Sequence, residues 1–406
     1  MAKISELSDD LLVKILSFLP TKEAVSTSVL SKRWEFLWMW LPKLDFSLSN
    51  SSEYPCLRDF IDKNLPLHRA PIIESLDLRL RFCSELLKPD QDVKSWAGIA
   101  VSRCVRELSI CYFHFYKEPD LLLPSSLYTC KSLVTLKLEG FKILVDVPPT
   151  VCLPSLKTLR LGWVKYVNED SLGLLLSHCP VLEDLSIERW YNDNVEALVV
   201  DVPSLQRLSL IIDSECSSDA YVIVTPSLKY FKVVDPRDCL SYLIEHMPEL
   251  EEADINVKQN PEKLLVAISN LVAMVVKRLS LQVGFKINKE TVYCDGIVFN
   301  RLENLKICIC GDDWSKLLVQ LLKDSPNLRV LNLFVDDDSK PVYFGDYKPV
   351  RWKNVPKCLL KSLETFEFAG YMGRPEEKDF LSFIFKHALR LKSSSILHGS
   401  EPYHGF

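Results

Sequence analysis

A six-residue template, apolar-x-x-apolar-x-apolar, recurs along this 406-residue chain and sharply limits what it can fold into. It starts at Ile73, Val105, Leu133, Leu156, Leu182, Leu205, Leu228, Leu250, Val276, Leu302, Leu328 and Leu363. The steps between starts are 32, 28, 23, 26, 23, 23, 22, 26, 26, 26 and 35 residues, and nine of the eleven lie between 22 and 28. Single matches to three apolar positions arise by chance; a dozen in near-regular phase do not. In Leu156-Lys157-Thr158-Leu159-Arg160-Leu161 the alternation around Leu159 and Leu161 puts apolar side chains on one face of a short strand. One such unit cannot bury its face alone, so the strands must stack in parallel to form a continuous core.

The residues between the strands agree. Pro stands two positions before the first apolar residue in six repeats, at Pro154, Pro180, Pro203, Pro226, Pro248 and Pro326. There it biases the preceding residue to extended backbone and keeps an upstream helix from running into the strand. Helical periodicity is expected at 171–178, 241–246 and 315–322. The period is that of a leucine-rich repeat. The predicted fold class is therefore α/β: a horseshoe over 73–335 with parallel strands on the concave face and helices or loops outside.

The concave face can be addressed by position. Its candidate binding residues are Lys137, Arg160, Arg207, Tyr230, Lys232, Glu252, Asp254, Arg278 and Lys306. A basic pair, Lys137 and Arg160, lies apart from an acidic cluster of Glu251, Glu252 and Asp254. Such patchwork suits a protein or peptide partner better than a phosphate backbone.

Residues 1–46 have a different texture. Ser8 is placed to cap a helix, and Asp9 and Asp10 sit where the helix dipole favours negative charge. Leu11, Leu12, Ile15, Leu16 and Leu19 follow at helical spacing until Pro20 stops the helix. Thr21 and Ser31 can cap two further short helices, the last carrying Trp34, Leu37 and Trp38. A segment of roughly 40 residues rarely stabilises itself, so another protein's surface is expected to complete its core. The pattern from Ile4 to Pro20, with Leu30-Ser31-Lys32-Arg33-Trp34 and Leu37-Trp38, resembles a plant-type F-box. The resemblance implies a three-helix domain that docks on the Skp-type adaptor of Skp–cullin–F-box (SCF) ubiquitin ligases. It implies an adaptor contact through Leu7, Leu11, Leu12, Ile15, Leu16, Leu19, Pro20, Trp34, Leu37 and Trp38. Ser8 stands where the family usually has Pro; a capping oxygen replaces the missing N–H, and helix entry is expected to survive.

Residues 47–72, polar and turn-rich at their start, read as a linker. From about 326, and as a module over 336–396, the chain resembles the FBD module that follows leucine-rich repeats in F-box proteins. Asp379 to Leu391 reads as an amphipathic helix carrying Phe380, Ile384, His387, Ala388 and Leu391. Ser393-Ser394-Ser395 departs from the family's pattern and leaves open whether the cap has its last strand, with 397–406 as a tail.

Several function classes are excluded on inventory. Only 12 residues are Gly, and no Gly-rich phosphate loop or dinucleotide fingerprint occurs. The seven His are isolated, and the thirteen Cys contain no Cys-x-x-Cys; Cys308 and Cys310 are the closest pair. Reduced thiols, no metal, no cofactor and no catalytic residue are expected. The acidic triplet Asp336-Asp337-Asp338 reads as solvated. A net charge of −5 with dispersed cations argues against nucleic acid. The longest apolar run, Leu264 to Val276, is too short to span a membrane, and Met1-Ala2-Lys3 leads straight into a capped helix, without a secretory leader. An intracellular protein, nuclear or cytoplasmic, is expected.

The resemblances together imply a non-catalytic substrate-recognition subunit of an SCF ligase. Its F-box would hold the adaptor, and through it the cullin and RING core, while the repeats hold a target protein. The alternative is a scaffold or small-molecule sensor that binds the adaptor without promoting ubiquitination.

Overall fold

Every one of the twelve template starts leads into a parallel strand in the computed structural model. It describes residue 4 and residues 7–48, 50–82, 89–114, 119–216, 220–237, 241–245, 247–257, 276–283, 298–308, 314–335 and 354–398. His246, Cys310, the triplet at 336–338 and all of the run 264–276 except Val276 lie outside those residues. The chain divides into two units, Met1–Glu196 and Ala197–Phe406.

In the first unit, helices α1 (Asp9–Leu16) and α2 (Thr21–Ser26) precede strand β1 (Lys43–Ser47), helix α3 (Tyr54–Asn64) and strand β2 (Ser75–Phe82). Helix α4 (Asp90–Ser102) leads to β3 (Glu107–His114), β4 (Leu121–Leu122), β5 (Thr135–Glu139) and β6 (Ile143–Val145). Then come β7 (Thr158–Gly162), β8 (Lys165–Tyr166), helix α5 (Asp170–Ser177) and β9 (Asp184–Arg189). Strands β1, β2, β3, β5, β7 and β9 are neighbours in one parallel sheet; β4, β6 and β8 form a smaller one.

The second unit opens with β10 (Ala197–Asp201), β11 (Arg207–Ile212), β12 (Ala220–Val224), β13 (Tyr230–Asp235) and β14 (Ser241–Ile244). It continues with β15 (Glu252–Val257), β16 (Arg278–Val283), β17 (Asn304–Cys308), helix α6 (Trp314–Asp324) and β18 (Val330–Phe334). Helix α7 (Lys357–Lys361), β19 (Thr365–Tyr371), helix α8 (Pro375–His387) and β20 (Ser393–His398) complete it. Its main parallel sheet runs β11, β13, β15, β16, β17, β18, β19, β20, and β10, β12 and β14 form a second.

Register explains the core. The second and third apolar positions of each template align from strand to strand, as in Leu108, Leu136 and Leu159, or Leu279, Leu305 and Leu331. All of these are buried. Fully burying such a side chain contributes about 2 kcal/mol, so the ladder is the main source of cohesion. The six prolines do more than stop helices. In each case the residue before Pro accepts a hydrogen bond from the backbone N–H three positions on, as Leu153 does from Leu156 and Cys179 does from Leu182, at 3.1–3.3 Å. Pro thus occupies the second position of a tight turn, where its fixed φ is favourable.

Several expectations need correction. Residues 241–244 form strand β14, not a helix; a short apolar run carries too little periodicity to separate the two. The third short helix of the N-terminal segment is a run of turns followed by a 3₁₀ helix at Leu37–Trp40. Ser8 occupies the N-cap position of α1 but its side chain makes no capping bond, and the N-cap of α2 is Pro20, not Thr21. The expected linker is folded: the Asn50 side chain caps a turn, and α3 follows with Pro near its start. The predicted helix from Asp379 begins earlier, at Pro375, because Glu377 accepts hydrogen bonds from the N–H groups of Met372 and Arg374 at 3.1 and 2.9 Å. It also ends earlier, at His387, with Phe380 and Ile384 buried on its inner face. The last strand is present as β20. Of the described cysteines, eight are free, but Cys308 is disulfide-bonded, contrary to the expectation of reduced thiols throughout.

The N-terminal segment also finds much of its core within its own chain. Leu12, Leu16, Ala24, Trp34, Leu37, Trp38 and Met39 are buried. Trp38 packs on Phe60 of α3 with ring centroids 5.4 Å apart, and Met39 O accepts from the N–H groups of Arg69 and Ala70. His68 Nε2 lies 2.8 Å from Leu41 O. The template also occurs at Leu41, where Leu44 and Phe46 turn inward from β1. The segment is therefore the entrance to the repeat stack as well as a separate motif.

Candidate functional site

Helix α1 has two apolar faces, and only one is used internally. Leu12 and Leu16 point into the core, while Leu11, Ile15 and Leu19 are exposed, with Phe18 80% exposed just after the helix. Beyond α2, Val29 is 87% exposed and Leu30 64%. A concentration of large apolar side chains in water at one end of a chain marks a surface made to be covered. Arg33 links the second half of the segment to the first: it pairs with Asp9 at 2.7 Å and donates to Leu7 O.

The ten predicted adaptor-binding residues therefore divide. Leu12, Leu16, Trp34, Leu37 and Trp38 lie inside the segment's own core, and Leu7 is half-buried. Leu11, Ile15, Leu19 and Pro20 are exposed. Phe18, Val29 and Leu30 belong to the exposed set and were missed. Their signal was present, since apolar residues flanking Pro20 or a Ser-rich turn have no reason to be there structurally.

The predicted repeat-face residues also separate into groups. In the first unit Lys137 and Arg160 are register neighbours. Arg160 bridges two carboxylates, Glu139 at 2.9 Å and Glu188 at 2.8 Å, whereas Lys137 is exposed with no ion-pair partner among the described residues. In the second unit Arg207, Tyr230, Glu252 and Arg278 stand side by side on consecutive strands. The Arg207 guanidinium lies over the Tyr230 ring at 4.3 Å, and Arg278 pairs with Glu252 at 2.9 Å. Partial burial, then the nearby Asp254 and Glu252 carboxylates, push the Tyr230 hydroxyl above its ordinary pKa. Lys232 faces Asp254 at 3.9 Å, and Lys306 lies over Phe334 at 5.1 Å. Opposite charges placed across strands largely neutralise this face, each exposed pair contributing well under about 1 kcal/mol to stability. A groove of about 370 Å³ near the strand starts of this unit is lined by Lys277, Arg301, Glu303 and Arg329 with Asn300, Asn327 and Ser362.

A further feature of the first unit was not anticipated. Where β3, β5, β7 and β9 end, Phe113, Phe141, Trp163, Trp190 and Tyr191 form a connected aromatic rim. Ring centroids are 5.5 Å apart for Phe113–Phe141, 5.7 Å for Phe113–Trp163, 5.9 Å for Phe141–Trp190 and 5.1 Å for Trp190–Tyr191. Arg81 lies over Phe113 and Lys165 over Trp190. Gly140, just before Phe141, lets the backbone pass close to β3: at its φ of +144° a Cβ would stand 1.8 Å from Tyr112 O. The sequence signal is an aromatic eight residues after the starts at Val105, Leu133 and Leu182, and seven after Leu156. Rigid, amphipathic rings of this kind are favoured at binding surfaces.

Among the described residues no helix is long and apolar enough to cross a membrane, and no group of three His, Cys, Asp or Glu is placed to hold a metal.

Comparison with known proteins gives three family matches. The F-box domain matches residues 4–46, the LRR repeats of the FBD-associated F-box protein At5g56370 match 93–292, and FBD matches 351–396. The putative FBD-associated F-box protein At5g56700 of Arabidopsis thaliana is 70% identical over 411 residues, with 100% of both chains covered. From the same organism, the FBD-associated F-box protein At5g60610 is 58% identical over 98% of this chain and 100% of its own. The putative F-box/FBD/LRR-repeat protein At4g00315 is 49% identical over 98% and 92%.

Proposed function

The chain belongs to the FBD-associated F-box protein family, and from that premise we propose that it is the substrate-recognition subunit of an SCF ubiquitin ligase. The observation that carries this reading is the uncovered apolar face of the N-terminal segment, built from Leu11, Ile15, Phe18, Leu19, Val29 and Leu30. That face docks on the Skp-type adaptor, which brings the cullin and RING core. Leu12, Leu16, Trp34, Leu37 and Trp38 hold the docking face in shape from within.

The repeats supply the other half of the function. Their mixed polar face and the aromatic rim hold a target protein, and no residue of this chain need act on a bond. The contribution to ubiquitin transfer is effective concentration: the target lysine is kept near the ligase for the lifetime of the complex. The work takes place inside the cell, where adaptor and cullin reside.

The test is reconstitution in cells. An epitope-tagged chain should co-purify with the Skp-type adaptor and cullin, and its deletion should raise the abundance of at least one repeat-bound protein in a cullin-dependent manner. Adaptor binding without any cullin-dependent change in a bound protein would overturn the ligase reading and leave a scaffold or sensor. Absence of adaptor binding would overturn both.

A further inference from the structure

The buried ladder of the second unit ends uncovered. Leu331 and Phe366 are fully buried, yet the next register partner, Ser394, is exposed. Leu333 and Phe368 are likewise buried, while the next partner, Ile396, is 38% exposed. All six residues of β20 are exposed, so neither of its faces is covered.

One edge of β20 pairs in parallel with β19, and in the strand order of the sheet nothing stands beyond it among the described residues. A parallel partner engages alternate backbone groups, leaving the other half of the N–H and C=O groups directed outward. What those groups lack is another strand.

The composition of β20 says which strand. Proteins usually blunt such an edge with a charge, a proline or a bulge. Ser393-Ser394-Ser395-Ile396-Leu397-His398 contains no Lys, Arg, Asp, Glu or Pro, and the register shift in its pairing with β19 falls only at its far end, between Ala369 and Tyr371. Set antiparallel to itself, this sequence brings no like charges together, and one two-fold axis satisfies both edges at once. The nearest preceding cation, Lys392, is already engaged by Glu364 at 2.9 Å.

Apolar surface continues beside the strand. Phe385 on α8 packs edge-on against Phe366 at 6.0 Å, and Phe366 is the ladder neighbour of Ser394. Leu389, just after α8, donates its N–H to Leu359 O of α7 and leaves its side chain 71% exposed; Leu360, the residue after Leu359, is also exposed. A six-residue strand pair alone falls short of the roughly 1,600 Å² of a standard interface, so these side chains are needed to close it.

We propose that β20 is a homodimerisation edge: two copies pair their β20 strands antiparallel, and Ile396, Phe385, Leu389 and Leu360 of each copy close one side of the junction. This inference does not depend on the ligase reading, because it concerns the opposite end of the chain from the adaptor face.

Sedimentation velocity of the full chain, co-expressed with a Skp-type adaptor, tests it. The wild-type complex should shift from one copy to two as concentration rises through the micromolar range, and amide exchange at 393–398 should slow in step. Ile396→Glu should hold the complex at one copy with an unchanged circular dichroism spectrum, since that side chain is not needed inside the fold. If Ile396→Glu loses the native spectrum, Ser395→Lys, on the other face of the strand, decides in its place. A single copy at every concentration, or a folded variant that dimerises as the wild type does, would overturn the proposal.

Discussion

Asp45 and Thr21 are joined by three hydrogen bonds, each 2.8 Å long: the Asp45 carboxylate accepts from Thr21 N–H and from Thr21 Oγ1–H, and Asp45 N–H donates to Thr21 Oγ1. Helix α2 has no capping side chain of its own, since Pro20 precedes it. The cap comes instead from β1, the strand that opens the repeat sheet. The N-terminal helices and the first strand of the sheet are therefore joined by one polar lock, as well as by the Trp38–Phe60 contact.

Replacing Asp45 by Ala should cost about 1–2 kcal/mol, because it removes a cap and leaves the N–H and hydroxyl of buried Thr21 without their acceptor. The shift in urea midpoint checks this, and Asp45→Asn should recover part of the loss.

The two faces of α1 should behave differently on truncation. Leu16→Ala should destabilise the chain by about 2–4 kcal/mol through the cavity it leaves, whereas Leu11→Ala should change stability by less than about 0.5 kcal/mol. Thermal melts of the two variants, side by side, measure the difference.

Arg189 and Asp193 form a buried pair at 2.7 Å, with side chains only 2% and 5% exposed. Arg189 also donates to Val195 O, and Asp193 accepts from Val195 N–H. Arg189→Met should cost about 3–5 kcal/mol by stranding the carboxylate. Adding Asp193→Leu to that variant should restore part of the loss, which a double-mutant cycle reads directly.

The chain should lose stability in mild acid through His68. Burial, reinforced by the nearby Arg103 cation and opposed by the hydrogen bond to Leu41 O, holds its pKa below the ordinary imidazole value. The neutral ring is thus the native form, while the unfolded chain takes up a proton near pH 6.5. The stabilising contribution is complete above that pH and fades as pH falls through the lowered native value. Urea midpoints at pH 7.5 and 5.5 should show the drop, and His68→Gln should shrink it.

The repeat was legible because its signal is redundant: a dozen strands share one pattern, and each miss is outvoted. Single-use elements were not. Helix α3 directly follows Ser51-Ser52-Glu53, which reads as a loop until Pro55 and the buried Tyr54 and Ile61 are seen to belong to one helix. Periodicity identified α1 but could not separate Leu11 and Ile15 from Leu12 and Leu16. A helix with two apolar faces looks the same whichever face its own chain covers. The aromatic rim was missed for a related reason: each ring follows its strand singly, and only the parallel register brings Phe113, Phe141 and Trp190 together.

The most direct test of the central claim is the affinity of the purified chain for a Skp-type adaptor, measured by titration calorimetry with wild type and with Leu11→Asp/Ile15→Asp. The uncovered face predicts a loss of at least about 100-fold in affinity, some 3 kcal/mol, in a variant that melts as the wild type does. Undiminished binding by the folded variant would contradict the account, because the adaptor would then be held by some other surface.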